Sequence, residues 1–220
     1  MWIGHKRMDN IKVVTKIEEL DKKRSKIYID YEFAFVLYKG EIRQYKLEIQ
    51  HPLDEETYGE IKNKLLPQRA KKRCLNLLQK RPLTEHQLRE KLKEGFYSQE
   101  IIEEAIVYVK SFRYVDDYDY ACQYIFYHKE AESRRKIEEK LTQKGIDKTT
   151  LQKALEDSYE EEETQELEMK QARKLLEKKK YDIETMDWKE KQKVYAFLMR
   201  KGIGNTIIKK VMSMQEWECM

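Results

Sequence analysis

The chain has 220 residues, 45 basic against 41 acidic side chains, 40% hydrophobic residues, seven glycines and three prolines. It is too apolar for global disorder and too poor in turn formers for an all-β fold, so mostly helix is expected. A net charge of +4 is too weak to define a nucleic-acid-binding protein by itself; any such argument rests on where the basic residues sit. Cys74, Cys122 and Cys219 form no CxxC, which suggests neither a disulfide framework nor a zinc site, and no apolar run reaches about 18 residues. MWIGHKRM lacks a signal-peptide core, and the expected location is cytoplasmic, without a membrane.

In chain order, the first 50 residues alternate with a period of two. From Ser25 to Tyr38 the odd positions Ile27, Ile29, Tyr31, Phe33, Phe35 and Leu37 are apolar, which predicts one half-buried strand. A strand around Lys12 to Ile17 precedes it. A turn at Lys39-Gly40 leads to a third strand, in which Tyr45, Leu47 and Ile49 alternate with polar residues. Three short antiparallel strands need a cover, and Asp54 to Leu66, with Tyr58, Ile61 and Leu65 at helical spacing, supplies a helix. Residues 1–66 therefore read as a β-rich segment plus helix, with Pro67 as its boundary.

Beyond it the chain repeats. The plan helix, tight turn, helix is written as LREKLKEGFYSQEIIEEAI around Gly95, RRKIEEKLTQKGIDKTTLQKAL around Gly145, and KVYAFLMRKGIGNTIIKKVM around Gly202. Leu92, Leu141 and Leu198 precede the glycine by about a turn; Phe96, Ile146 and Ile203 follow it. A reversing helix commonly ends in a left-handed residue, where a Cβ costs about 1 kcal/mol. Ser98, Asp147 and Asn205 are placed to cap the next helix. The reading is a tandem array of three three-helix, helix-turn-helix-like repeats, spanning 67–115, 116–162 and 163–220 and on the order of 60 to 75 Å long. Thr84 with Gln87 and Asp187 with Glu190 read as capping boxes, Asp116 or Asp117 as a cap, and Glu166 with Lys170 as an i,i+4 pair. Cys74 and Cys122 fall on apolar helix faces and read as core.

The residues RPLTEHQLREKL, YVDDYDYA, RRKIEEKLTQKGI and YAFLMRKGI, in this order and spacing, resemble the RecX family of bacterial regulators of the recombinase RecA. The resemblance covers nearly the whole chain. Two departures affect only the tilt of neighbouring repeats: Ser133 stands where a glycine is usual, and the first turn is one residue shorter. The resemblance implies three tandem three-helix repeats, binding along the groove of the RecA–DNA filament, and modulation, chiefly inhibition, of ATP hydrolysis, strand exchange and filament persistence. The implied partners are the RecA filament and, weakly, single- and double-stranded DNA, bound by a monomer without a cofactor.

Arg69, Lys71, Lys72, Arg73 and Arg81 form the first candidate patch for phosphate or the filament, and Arg134, Arg135 and Lys136 the second; a solvated helix face is the competing reading of each. Four phosphate contacts would give a log–log salt slope of about −3. The run Tyr114, Tyr118, Tyr120, Tyr124, Phe126 and Tyr127 offers either base stacking or packing, and the single stripe of 120, 124 and 127 favours packing. Glu160 to Glu163 reads as a linker and helix start. No Gly-rich phosphate loop, no metal spacing among His5, His51, His86 and His128, and no nucleophile–base pair point to an enzyme. The alternatives are a stand-alone DNA-binding protein, reading duplex through Gln99, Lys148 and Asn205 on helix first turns, or a scaffold for another helical protein.

Overall fold

The computed structural model describes residues 12–159 and 161–213, without the side chains of 161–163. It is mainly helical, with an N-terminal antiparallel sheet, and its described residues divide into two compact units: one holds residues 12–83 and Gln87–Val115, the other Thr84–His86, 116–159 and 161–213.

In the first unit, strands β1 (Lys12–Glu19), β2 (Arg24–Ile29), β3 (Glu32–Tyr38) and β4 (Pro52–Leu53) form one antiparallel sheet in the order β3-β2-β1-β4. The expected single strand from Ser25 to Tyr38 is thus a hairpin. Its loop residues, Asp30 and Tyr31, both have positive φ, as a two-residue type I′ hairpin loop requires. Such a loop reverses the parity of the alternation, but an extra residue at Ala34 restores it. Tyr28 pairs with Phe33 and Ile27 with Phe35, so Phe35 and Leu37 return to the face of Ile27 and Ile29. The apolar period therefore runs unbroken through a chain reversal.

The expected strand at 45–49 is also corrected. Lys39–Gln44 is a helix, α1, and Lys46 and Gln50 have positive φ, which breaks an extended run; Leu47 alone of the three apolar residues is buried in the core. Helix α2 (Glu55–Glu60) passes through a single π turn (Ile61–Leu65) into α3 (Leu66–Leu78). Pro67 therefore lies inside a continuous helical run. Its ring crowds the carbonyl four residues back and it lacks an N–H, and the widened turn accommodates both. Helices α4 (Glu85–Lys93) and α5 (Gln99–Ser111) follow. Val14, Ile27 and Leu37 of the sheet share one core with Ile61, Cys74, Leu88, Leu92 and Ile106. Burial pushes the Cys74 thiol up to about 11, so it packs as an inert apolar group.

In the second unit, α6 (Asp117–His128), α7 (Arg134–Gln143) and α8 (Lys148–Ser158) enclose Ala121, Ile125, Ile137, Leu141 and Leu155. Helices α9 (Glu161–Lys178), α10 (Trp188–Arg200) and α11 (Asn205–Ser213) enclose Ala172, Leu176, Leu198 and Ile208. Leu167 of α9 belongs to the first of these cores, so this helix serves both. Asp116 caps α6 through the N–H groups of Tyr118 and Asp119, whereas Asp117 accepts from the N–H of Glu85 at 2.8 Å. The capping box of Asp187 and Glu190 is formed. Asn205 is the first residue of α11, not its cap, and its side chain accepts from the Tyr195 hydroxyl. Lys170 pairs with Glu130 at 3.4 Å. Cys122 is only partly buried, and Cys219 and the acidic side chains at 160–163 lie outside the described residues.

The turn register differs from the one the glycines suggest. Tyr97, Ile146 and Ile203 each donate their N–H to the carbonyl five residues back, of Leu92, Leu141 and Leu198. The residue before each is left-handed: Phe96 at φ +62°, Gly145 at +81° and Gly202 at +83°. Phe96, not Gly95, is the counterpart of the other two glycines. At Gly145 and Gly202 a second constraint is steric, since a Cβ would overlap the side chain of His86 and the hydroxyl of Ser133 respectively. The same joint is tied by hydroxyls. Thr84 Oγ1 donates to the Lys144 carbonyl at 2.6 Å, and Ser133 Oγ to the Lys201 carbonyl at 2.8 Å.

Candidate nucleic-acid interface

Lysines four apart on a helix lie one above the other on one face. Lys136 and Lys140 do so on α7, Lys174 and Lys178 on α9, and Lys201 follows α10 as its C-cap; together these five line a groove of about 670 Å³. Gln171 lies against this groove and is 7% exposed. Its Nε2 donates to the carbonyls of Lys129 and Glu132 at 2.7 and 3.1 Å, while its Oε1 is buried without a partner. Glu130 and Glu132 also line the groove. Lys140 binds Glu132 at 2.6 Å, and that hydrogen bond raises the lysine pKa. Lys136 reaches Glu139 only at 3.7 Å, and Lys174, Lys178 and Lys201 have no ion pair among the described residues. The groove therefore presents an excess of positive charge that acidic neighbours do not neutralise.

Of the second sequence-predicted cluster, Lys136 lies in this groove. Arg135 is exposed and 3.4 Å from Glu139. Arg134 lies over the Tyr159 ring at 5.5 Å and beside Glu168, whose pKa burial raises against the opposing Gly204 N–H and the Arg134 charge. Of the first cluster, Arg69 is engaged within the fold. Its guanidinium donates to Glu41 at 2.7 Å, the Val36 carbonyl at 2.6 Å and the Tyr97 hydroxyl at 3.1 Å, tying sheet and turn to α3. Lys71 binds Glu104 at 2.7 Å and lies over Tyr108, and Arg73 donates to the Lys91 carbonyl at 3.3 Å. Lys72 and Arg81 are exposed. Sequence reasoning passed over Lys140, Lys174, Lys178 and Lys201, although the lysine spacing in KIEEK and KLLEK carries the signal for the first three.

The aromatic stripe packs in part: Tyr118, Tyr120 and Tyr124 lie partly buried against the core of α6, α7 and α8. The core face of α6 is Ala121 and Ile125, while Tyr127 is 75% and Phe126 70% exposed. Tyr124 stacks on His128 at 4.1 Å, and Lys144 lies over Tyr120 and Tyr124. Tyr118 donates to Asp157 at 2.7 Å, which raises its pKa, and the half-exposed Tyr114 stacks on Phe112 at 5.7 Å. Among the described residues, no group of three or more His, Cys, Asp or Glu could hold a metal, and no helix is long and apolar enough to cross a membrane.

Comparison with known proteins places this geometry in context. Residues 70–108 match the family model described as RecX, first three-helix domain, and residues 166–212 the one described as RecX, third three-helix domain. The regulatory protein RecX of Finegoldia magna is 31% identical over 213 residues, covering 92% of this chain and 99% of that protein. Its counterpart in Clostridium botulinum strain Alaska E43 is 28% identical over 200 residues, covering 90% and 93%. A crystal structure of a regulatory protein RecX, 26% identical, matches with a TM-score of 0.61 over 93% of this chain and 100% of that one.

Proposed function

We propose, from the premise that this chain belongs to the RecX family of regulatory proteins, that it binds the RecA–DNA filament and lowers its activity. It acts as a cytoplasmic monomer, through binding and without chemistry of its own, and reduces ATP hydrolysis, strand exchange and filament persistence. The observation that supports this reading on the molecule is the lysine groove between α7 and α9. Lys136, Lys140, Lys174, Lys178 and Lys201 meet the phosphates of the filament-bound strand; Lys72, Arg81 and Arg135 are secondary contacts, and Arg69 holds the fold. A phosphodiester backbone suits such a row because each contact releases condensed counterions, independent of sequence.

The test is the single-strand-dependent ATP hydrolysis of RecA from the same organism, titrated with this protein beside a control for naked-DNA binding. Hydrolysis should fall at equimolar protein or below, by more than competition for DNA explains. Changing Lys174 and Lys178 to Glu should weaken the effect at least about tenfold and make the salt slope shallower by about 1.4 to 1.8 for two lost contacts. Unchanged hydrolysis with tight, salt-sensitive DNA binding would move the chain to the stand-alone DNA-binding class; binding indifferent to salt and DNA would make it a scaffold.

A further inference from the structure

The two faces of the N-terminal sheet differ in chemistry. Ile27, Ile29, Phe35 and Leu37 enter the core from one face. On the other, Lys16, Tyr28 and Phe33 form one cross-strand row and Glu18 with Lys26 lies in the next, while Phe96 of the first-repeat turn packs alongside. The Tyr28 and Phe33 rings meet edge to face at 6.0 Å, and Phe33 meets Phe96 at 6.3 Å. Lys16 lies over Tyr28 and Lys26 over Phe96, each at 5.2 Å. Phe33 is 45% exposed, Phe96 38%, and Tyr31 at the hairpin tip 85%.

Two local departures from regular backbone set this face. The two-residue hairpin loop sets Phe33 on the face away from the core before the extra residue at Ala34 returns Phe35 to it, and Phe96 and Tyr31 occupy left-handed conformations that disfavour a side chain. Burial explains neither, since all three rings remain open to water. The cations stand over rings of the same face, and its rows hold one acid, Glu18, which is paired to Lys16. Open rings interleaved with cations are the chemistry of surfaces that bind unpaired nucleotides, where bases stack and lysines meet phosphates.

We propose that this outer face is a stacking platform for single-stranded nucleic acid, with bases on Phe33, Phe96 and Tyr31 and phosphates at Lys16 and Lys26. The assignment rests on nucleic acid being part of the ligand proposed above, and gives the sheet a role separate from the lysine groove.

The test uses free strands and no recombinase: fluorescence anisotropy with a labelled 20-mer of thymidine against an abasic deoxyribose-phosphate 20-mer of equal charge. The full chain should prefer the thymidine strand by about fivefold to a hundredfold per stacked base. Tyr31→Ala with Phe33→Ala should abolish that preference and leave abasic binding unchanged; neither side chain belongs to the core, and an unchanged thermal midpoint verifies folding. The Lys174→Glu, Lys178→Glu variant should weaken both strands alike and keep the preference. Ultraviolet crosslinking to the thymidine strand should label the peptide spanning 24–39. Equal affinity for the two strands, or a preference that survives the double alanine variant, overturns the platform. Suppression of RecA hydrolysis without any base preference overturns it too, while leaving the filament reading intact.

Discussion

The turn of the first repeat and the turns of the second and third share a hydrogen-bond pattern and differ at the residue that makes the reversal. All three place a left-handed residue four positions after a buried leucine, and all three close by an N–H bond from the following residue to that leucine. Two use glycine; the first uses phenylalanine. Left-handed backbone is therefore a property of the turn, whereas glycine is a property of what lies against it. Gly145 abuts His86 and Gly202 abuts Ser133, with no space for a Cβ, while the Phe96 ring extends toward Phe33 and Lys26 of the sheet. The same backbone serves as a joint between repeats and as a seat for the N-terminal sheet, depending on one side chain.

The largest effect that tests this contrast is at the glycines. Gly145→Ala and Gly202→Ala each combine the left-handed penalty, about 1 kcal/mol, with displacement of a packed neighbour, typically about 1–3 kcal/mol. A loss of about 3 kcal/mol each is expected in urea unfolding, read from the midpoint at constant slope. A loss near 1 kcal/mol at either site would mean that the neighbour yields freely and the contrast is one of backbone alone. Next is the hydroxyl across the joint. Ser133 accepts from the Lys136 N–H and donates to the Lys201 carbonyl, so Ser133→Ala should cost about 1–2 kcal/mol. Ser133→Thr should be nearly neutral, because threonine already fills the corresponding place at residue 84. If threonine costs as much as alanine, the two hydroxyls are not equivalent and the joint is not a repeated one.

The helices were legible because amphipathic period, cap and stop coincide in the same segments: Asp187 with Glu190, Asp147 before Thr149 and Thr150, and the leucines ahead of each turn. The sheet was half legible. Its period of two was real, but a two-residue loop and a one-residue insertion cancel in parity, so the sequence shows one strand where the chain makes a hairpin. The glycines do not reveal the turn register, because a glycine stands one residue before the left-handed position in the first repeat and at it in the others. The basic residues were legible as charge and not as position. Arg69 looks like its neighbours in sequence, and only the fold brings it to Glu41 and the Val36 carbonyl. Lys136 with Lys140, Lys174 with Lys178, and Lys201 come from two helices and a turn that local sequence does not place side by side.

The smallest expected effect separates the two causes of glycine most sharply. Phe96→Gly removes the left-handed penalty but also the ring packed on Phe33 and Lys26, and it adds unfolded-state freedom; the terms oppose and the net change should lie within about 1 kcal/mol. Phe96→Ala loses the ring and keeps the penalty, so glycine should be more stable than alanine at 96 by about 1 kcal/mol. At Gly145 and Gly202 the same glycine-to-alanine difference should be about 3 kcal/mol. The excess of about 2 kcal/mol belongs to His86 and Ser133, because the backbone contribution is common to all three turns. Equal differences at the three positions would remove the neighbours from the account and leave Phe96 as a tolerated substitution in an otherwise uniform turn.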